Sequence, residues 1–217
     1  MPTSVEMIRR LGRSCRGTIH IGANTGQEVG SYRSAGLLWG IMIEPLPEPF
    51  SRLRQAVENI PNYFALQALC AAREGVEYEF HVASNGGQSS SILQPARHTI
   101  EHPDVAFTET ITLRSTTVDR LMAQLEGSVP AFTPDLIDIL YMDVQGAELE
   151  VLKGSTKTLQ TVDYVFSEVS YGGLYQSDAT LEDVQALLHC FGFRLNWVDI
   201  NRHGWGDALF IRSPQKQ

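Results

Sequence analysis

The chain has 217 residues, a formal charge of −8 with His neutral, and a hydrophobic fraction of 43%. That length suits one domain with a real core. The acidic balance argues against a general nucleic-acid binder, which needs cationic side chains to displace counterions from phosphates. No apolar run approaches the roughly 20 residues of a membrane span. Cys15, Cys70 and Cys190 are too scattered for a disulfide framework or a zinc pair, which points to a reducing, cytoplasmic setting. Residues 1–16 carry Arg9, Arg10, Arg13 and Arg16 but also Glu6, and a core strand is expected from residue 18. They read as a helical extension of the domain, not a disposable leader.

In chain order, short apolar runs alternate with helical segments, the pattern of βαβ units and a mostly parallel sheet. Residues 18–21 predict a strand ending at Gly22, and 26–35 a helix. A second strand over 39–43 ends at Glu44, and a helix behind Pro47 places Phe50, Leu53 and Val57 on one face. Residues 62–69 predict a third strand. Residues 76–83 alternate polar and apolar, as an edge strand does. Residues 84–108 are polar and read as a long loop inserted over the active site, since long loops in compact domains are often functional. Strand 110–114 and helix 118–125 follow. The βα rhythm then resumes with strand 136–142, helix 147–153 ended by Gly154, strand 162–169, and helix Leu181–Cys190 ended by Gly192. Strands 193–198 and 208–212 close the domain.

Two features carry chemistry. The first strand runs into Gly22-Ala23-Asn24-Thr25-Gly26-Gln27, where glycines permit a tight turn and close approach to a ligand. Glu44 follows eighteen residues after Gly26, at the end of the second strand. A carboxylate there can accept hydrogen bonds from both hydroxyls of a ribose, at the place where open α/β sheets bind ligands. Asn24 stands where a dinucleotide motif would have its second glycine, which disfavours a pyrophosphate and favours S-adenosylmethionine. The plainer reading, an ordinary strand–helix turn, does not account for Glu44.

The run L-Y-M-D-V-Q-G-A-E-L-E-V-L-K-G at 140–154 makes the reading specific. It resembles the signature of the FkbM family of S-adenosylmethionine-dependent methyltransferases. I-H-I-G-A-N-T-G-Q-E at 19–28, I-E-P-L-P-E-P-F at 43–50 and S-N-G-G-Q-S-S-S-I at 84–92 are similar to the family too. So are S-T-T-V-D at 115–119, S-E-V-S-Y at 167–171 and G-W-G-D-A-L-F at 204–210. The resemblance implies one class I methyltransferase domain over residues 1–217: a Rossmann-like α/β fold with a seven-stranded, mostly parallel sheet, order 3-2-1-4-5-7-6, and helices on both faces. It implies O-methylation of a hydroxyl on a sugar, other small molecule or secondary metabolite. S-adenosyl-L-methionine would be consumed and S-adenosyl-L-homocysteine released. Cofactor contacts fall on Gly22, Ala23, Asn24, Gly26, Gln27, Glu44, Pro45, Ala68 and Asp143. Many members have Asp where this chain has His20.

Methyl transfer to an alcohol needs positioning and gains from a base. Asp143, at the end of strand four, is the first candidate, Glu168, at the end of strand five, the second, and His98 in the loop the third. A plainer role for Asp143 is a helix cap over the amides of 145–147. For Glu168 it is a buried carboxylate paired with loop backbone. Ser90, Ser91, Gln145, Tyr171, Trp205 and Asp207 are candidate acceptor contacts; Ser89 sits in the same polar turn. No resident metal is expected, although a divalent ion at Asp143 would also suit an alcohol acceptor. Residues 98–102 spell H-x-x-E-H, a zinc-hydrolase pattern, but Pro103 and the loop context argue against the helix it requires. A methyltransferase fold that binds without turnover is the other alternative.

Overall fold

In the computed structural model, which describes residues 4–213, the chain opens with α1 (Ser4–Arg10), β1 (Gly17–Ile21), α2 (Val29–Ser34), β2 (Trp39–Glu44) and α3 (Pro47–Val57). Next come β3 (Tyr63–Gln67), β4 (Leu69–Cys70), β5 (Glu77–Ala83), α4 (His98–Glu101) and β6 (Phe107–Thr116). The second half contains α5 (Val118–Ser128), β7 (Ile139–Met142), α6 (Glu148–Lys153), α7 (Thr158–Thr161), β8 (Tyr164–Ser170), α8 (Leu181–Cys190), β9 (Phe193–Ile200) and β10 (Trp205–Arg212).

The main sheet has seven strands in the order β3-β2-β1-β7-β8-β10-β9. Renumbered along the chain, this is the expected order 3-2-1-4-5-7-6. The five strands from β3 to β8 pair in parallel, and β10 is antiparallel to both neighbours. β1 and β2 are buried along their whole lengths, which explains their unbroken apolar character. Helices cover both faces. On one, Leu121 and Leu125 of α5, Val151 and Leu152 of α6, and Val184 and Leu188 of α8 pack on the sheet. On the other, Val5 and Ile8 of α1, Val29 and Tyr32 of α2, and Leu53 and Val57 of α3 do so. The N-terminal helix is therefore part of the core. At α8, Thr180 accepts a hydrogen bond from the Asp183 amide, and the Asp183 carboxylate accepts one from the Thr180 amide; this reciprocal cap fixes the helix start.

A second sheet, β4-β6-β5, was not expected as a unit. The alternating residues of β5 pair antiparallel with β6, and Phe80 turns inward to join Leu69 and Leu46. The stretch 84–108 is also more ordered than its composition suggests. Residues 98–101 form one helical turn, and β6 begins at residue 107. The backbone amide and carbonyl of Ser91 both bond His81, tying the start of this stretch to β5.

Candidate functional site

β1 and β7 are adjacent and parallel, so their C-terminal ends open side by side, where the chain leaves the sheet in opposite directions. Gly22 caps β1 at a φ of 81°, and a Cβ there would lie 1.8 Å from the Asp143 carbonyl oxygen. Only glycine allows the two strand ends to approach this closely. A continuous cleft begins at this point, and Gly22, Asn24, Gln88 and Asp143 line both of its halves.

The first half lies at the ends of β2 and β3. At its edge, Glu44 is almost fully buried. Its Oε2 accepts a bond from the Asn24 amide at 3.0 Å, and its Oε1 one from the Leu46 amide at 2.9 Å. Burial pushes this carboxyl up to about 7, against the pull of the two amides. Each oxygen keeps a lone pair for a further donor. The walls are Pro45 and Ala68 together with Leu69, Phe80 and Ile92. A flat base over apolar walls and a diol on Glu44 fit this half, so its residues suit an adenosine group.

The second half is the roomier of the two. Asp143 and Glu168 stand at its floor, each open to the cleft on one side and surrounded by protein on the others. Between them lies Gln145, whose Nε2 donates to Asp143 Oδ1 and to Glu168 Oε2, both at 2.7 Å. The amide cannot rotate freely. Its Oε1 lies 3.0 Å from the Tyr175 hydroxyl, which also reaches the Ser89 carbonyl at 2.9 Å. Ser91 Oγ donates to the Gln145 carbonyl at 2.9 Å, holding a residue whose φ is 54°. Burial raises both carboxyls. Glu168 is driven well above the carboxylate range because Asp143, Glu148 and Asp207 add negative potential. Asp143 is raised less, because hydrogen bonds from Gln145 and Glu168 pull it back. Asp207 pairs with Glu168 across β10 and β8 and is itself pushed up to about 6, chiefly by burial.

The helix-cap role considered for Asp143 is not seen: α6 starts at Glu148 with no side-chain cap on its first turn. The amides of Val144 and Gly146 donate to Glu148 Oε1 at 3.3 Å. This buried carboxyl shapes the turn that presents Asp143 and Gln145. Glu168 likewise bonds a side chain, Gln145, in place of loop backbone.

Other sequence candidates fall in several places. Gln27, His98 and Trp205 line the second half and Ser90 the first, where Ser90 Oγ also accepts the Ala83 amide. Ala23 and Gly26 shape the loop without lining either half, and their amides go to Ile43 and Ala23 carbonyls. Ser91 and Asp207 act behind the wall. Tyr171 is 64% exposed and lines no part of the cleft, so the structure does not bring it to the acceptor side. His20 reaches the second half from β1, with its Nδ1 3.1 Å from the Tyr32 hydroxyl, and burial drops it to about 3, so it is neutral.

The rings of His98, at the start of α4, and His102, just past its end, do come together, with centroids 4.7 Å apart. The single turn supplies what a loop would not. Glu101, however, is occupied by His203 Nδ1 at 2.7 Å and by Arg97 at 3.3 Å. Among the described residues, no group of three or more His, Cys, Asp or Glu is arranged to hold a metal ion. The zinc-hydrolase reading has no third ligand.

The family model for the methyltransferase FkbM domain matches residues 20–195. The chain belongs to this family. It is 28% identical over 156 residues to the 2-O-methyltransferase NoeI of Sinorhizobium fredii, covering 68% of this chain and 60% of that protein. It is also 28% identical over 137 residues to the hexuronic acid methyltransferase AglP of Haloferax volcanii, covering 63% and 49%. The chain thus spans about half to three-fifths of these relatives. Among solved structures, the FkbM methyltransferase of Methylobacillus flagellatus overlays with a TM-score of 0.57 at 11% identity, covering 91% of this chain and 43% of that one. The magnesium protoporphyrin IX methyltransferase of Synechocystis overlays at 0.52 with 9% identity, covering 96% and 76%. These overlays place the FkbM domain described here in the class I methyltransferase fold.

Sequence reasoning missed the apolar wall of the first half, Leu69, Phe80 and Ile92, and the wall residues Glu28, Asn85 and His102 of the second. The alternation in β5 was the available signal for Phe80. Nothing in the sequence marked Tyr175 as the group that orients Gln145.

Proposed function

We propose that this FkbM domain is an S-adenosylmethionine-dependent O-methyltransferase acting on a hydroxyl of a sugar or similar small acceptor. One observation carries the reading: a single cleft joins a half whose residues suit a nucleoside, with Glu44 at its edge, to a half floored by two carboxyls, Asp143 and Glu168, that Gln145 bridges. The printed activities of the two curated relatives support it. S-adenosylmethionine, when bound, supplies an electrophilic methyl group.

The chain's own residues do the rest. Glu44, Pro45 and Ala68 hold the nucleoside, and the turn from Gly22 to Gln27 holds the amino-acid end. Gln145 keeps Asp143 ionised and aimed at the cleft, so that Asp143 takes the acceptor's hydroxyl proton as its oxygen is alkylated. Glu168 stays protonated beside it and limits the repulsion between the two carboxyls. His98 is a second basic group on the wall. The stretch 84–101 closes the top of the cleft and excludes water, which would otherwise compete as acceptor. Three free cysteines fit a reducing compartment, and we place the protein in the cytoplasm with a small-molecule or glycan partner and no nucleic acid. No helix among the described residues is long and apolar enough to cross a membrane.

Calorimetry with S-adenosylhomocysteine, followed by transfer of labelled methyl to a glycan panel, tests the proposal. Binding that is weakened in Glu44→Ala, together with an alkali-stable methyl ether product, supports it. No binding by the folded protein overturns it. Binding without product on any acceptor would favour a non-catalytic module.

A further inference from the structure

Resting on that reading, we infer that the acceptor half of the cleft selects a sugar ring that carries no carboxylate and rejects uronic acids. The lining of both halves of the cleft, and of the adjoining recess beneath Tyr175, includes no Lys or Arg among the described residues. It does include Glu28, Asp143 and Glu168, with Glu148 and Asp178 in the recess. A carboxylated acceptor would lose its hydration there and meet like charge with no counter-ion. The cations near the rim are engaged: Arg97 with Glu101, and Arg202 with His203.

What the walls do offer suits hydroxyls. Gln27, Asn85 and Gln88 present amides that donate and accept. Opposite them stand the rings of His98, His102 and Trp205, with His102 and Trp205 centroids 6.2 Å apart, a surface for the C–H face of a pyranose.

Two polar atoms in this wall have no partner: His98 Nδ1, on a side chain 4% exposed, and Trp205 Nε1. Buried nitrogens of this kind are seldom left unpaired. Trp Nε1 only donates, so a partner for it must bring a lone pair. A carboxylate brings lone pairs but also the charge that the floor repels. A hydroxyl brings lone pairs without that charge.

The test uses the S-adenosylhomocysteine-loaded protein with matched methyl glycosides: neutral hexopyranosides, 6-deoxyhexopyranosides and the corresponding hexuronides. Saturation-transfer NMR reads binding, and labelled S-adenosylmethionine reads transfer. At least one neutral glycoside is expected to bind and to be methylated with kcat/KM about tenfold or more above its charged counterparts. Trp205→Phe, which keeps a ring and removes the donor, should raise the acceptor KM several-fold while the S-adenosylhomocysteine affinity stays constant. Hexuronides binding as well as neutral rings would overturn the inference, and so would a loaded protein that binds no neutral glycoside. Failure to bind S-adenosylhomocysteine would instead strike the underlying reading, and this inference with it.

Discussion

The two halves of the cleft hold their carboxylates by different means. In the nucleoside half, Glu44 is fixed by two main-chain amides, those of Asn24 and Leu46, and the surrounding walls are apolar. In the acceptor half, Asp143 and Glu168 are fixed by a side chain, Gln145, itself oriented by another side chain, Tyr175. A backbone-built grip follows from the fold and changes little with substitution. A side-chain relay can be retuned by single replacements, which suits a half that must match different acceptors while the other half keeps one cofactor.

The sharpest way to break the comparison is at the point both halves share. Gly22→Ala should cost about 3 kcal/mol or more of stability, since its φ is left-handed and its Cβ would overlap the Asp143 carbonyl. Thermal denaturation would show a large drop in Tm or failure to fold, and a Tm near wild type would refute the close approach. Asp143→Asn should separate the halves, with kcat falling about 100- to 10,000-fold while S-adenosylhomocysteine affinity stays within a few-fold. Equal losses in both readouts would mean that the halves are not independent. Glu44→Ala should do the reverse, weakening S-adenosylhomocysteine binding by about 2–3 kcal/mol through two lost charged hydrogen bonds, as calorimetry would read.

Smaller effects sharpen the contrast. Gln145→Leu should lower kcat about tenfold, comparable to the loss of one positioning contact. The hydrogen bond from Gln145 lowers the Asp143 pKa, so removing it raises that pKa, and the acid limb of the kcat profile should move to higher pH. An unmoved limb would remove Gln145 from proton control. The mildest prediction concerns Glu44, whose carboxyl sits near 7. Ribose hydroxyls favour the ionised form, so S-adenosylhomocysteine affinity should rise with pH through about 7 and level off above it. Glu44→Gln should flatten that dependence, and a titration series by calorimetry would decide.

The nucleoside grip and the sheet order were legible because both rest on local pattern. Gly22 and Glu44 lie at strand ends that the apolar runs mark directly, and α8 matched residue for residue. The small sheet β4-β6-β5 was not legible as a unit. Its pairing joins residues such as Tyr78 and Leu113, far apart in sequence, and nothing local states that partnership. The short helix α4 escaped because its polar composition and Pro103 read as loop. In the acceptor half, Asp143 and Glu168 were visible as residues, but their relation was not. Whether Gln145 faces an acceptor or bridges two carboxyls depends on a positive φ and on Tyr175, and neither is written in the D-V-Q-G run.

The position of β10 bears on how the molecule is made. Residues Trp205–Arg212 enter the sheet between β8 and β9, both of which precede them in the chain. During synthesis that slot stays empty until residue 212 has cleared the ribosome, and β8 meanwhile presents an apolar open edge. Such edges invite pairing with other nascent chains. Translation that stalls before β10 has emerged would leave an adhesive polypeptide, a natural client for chaperones.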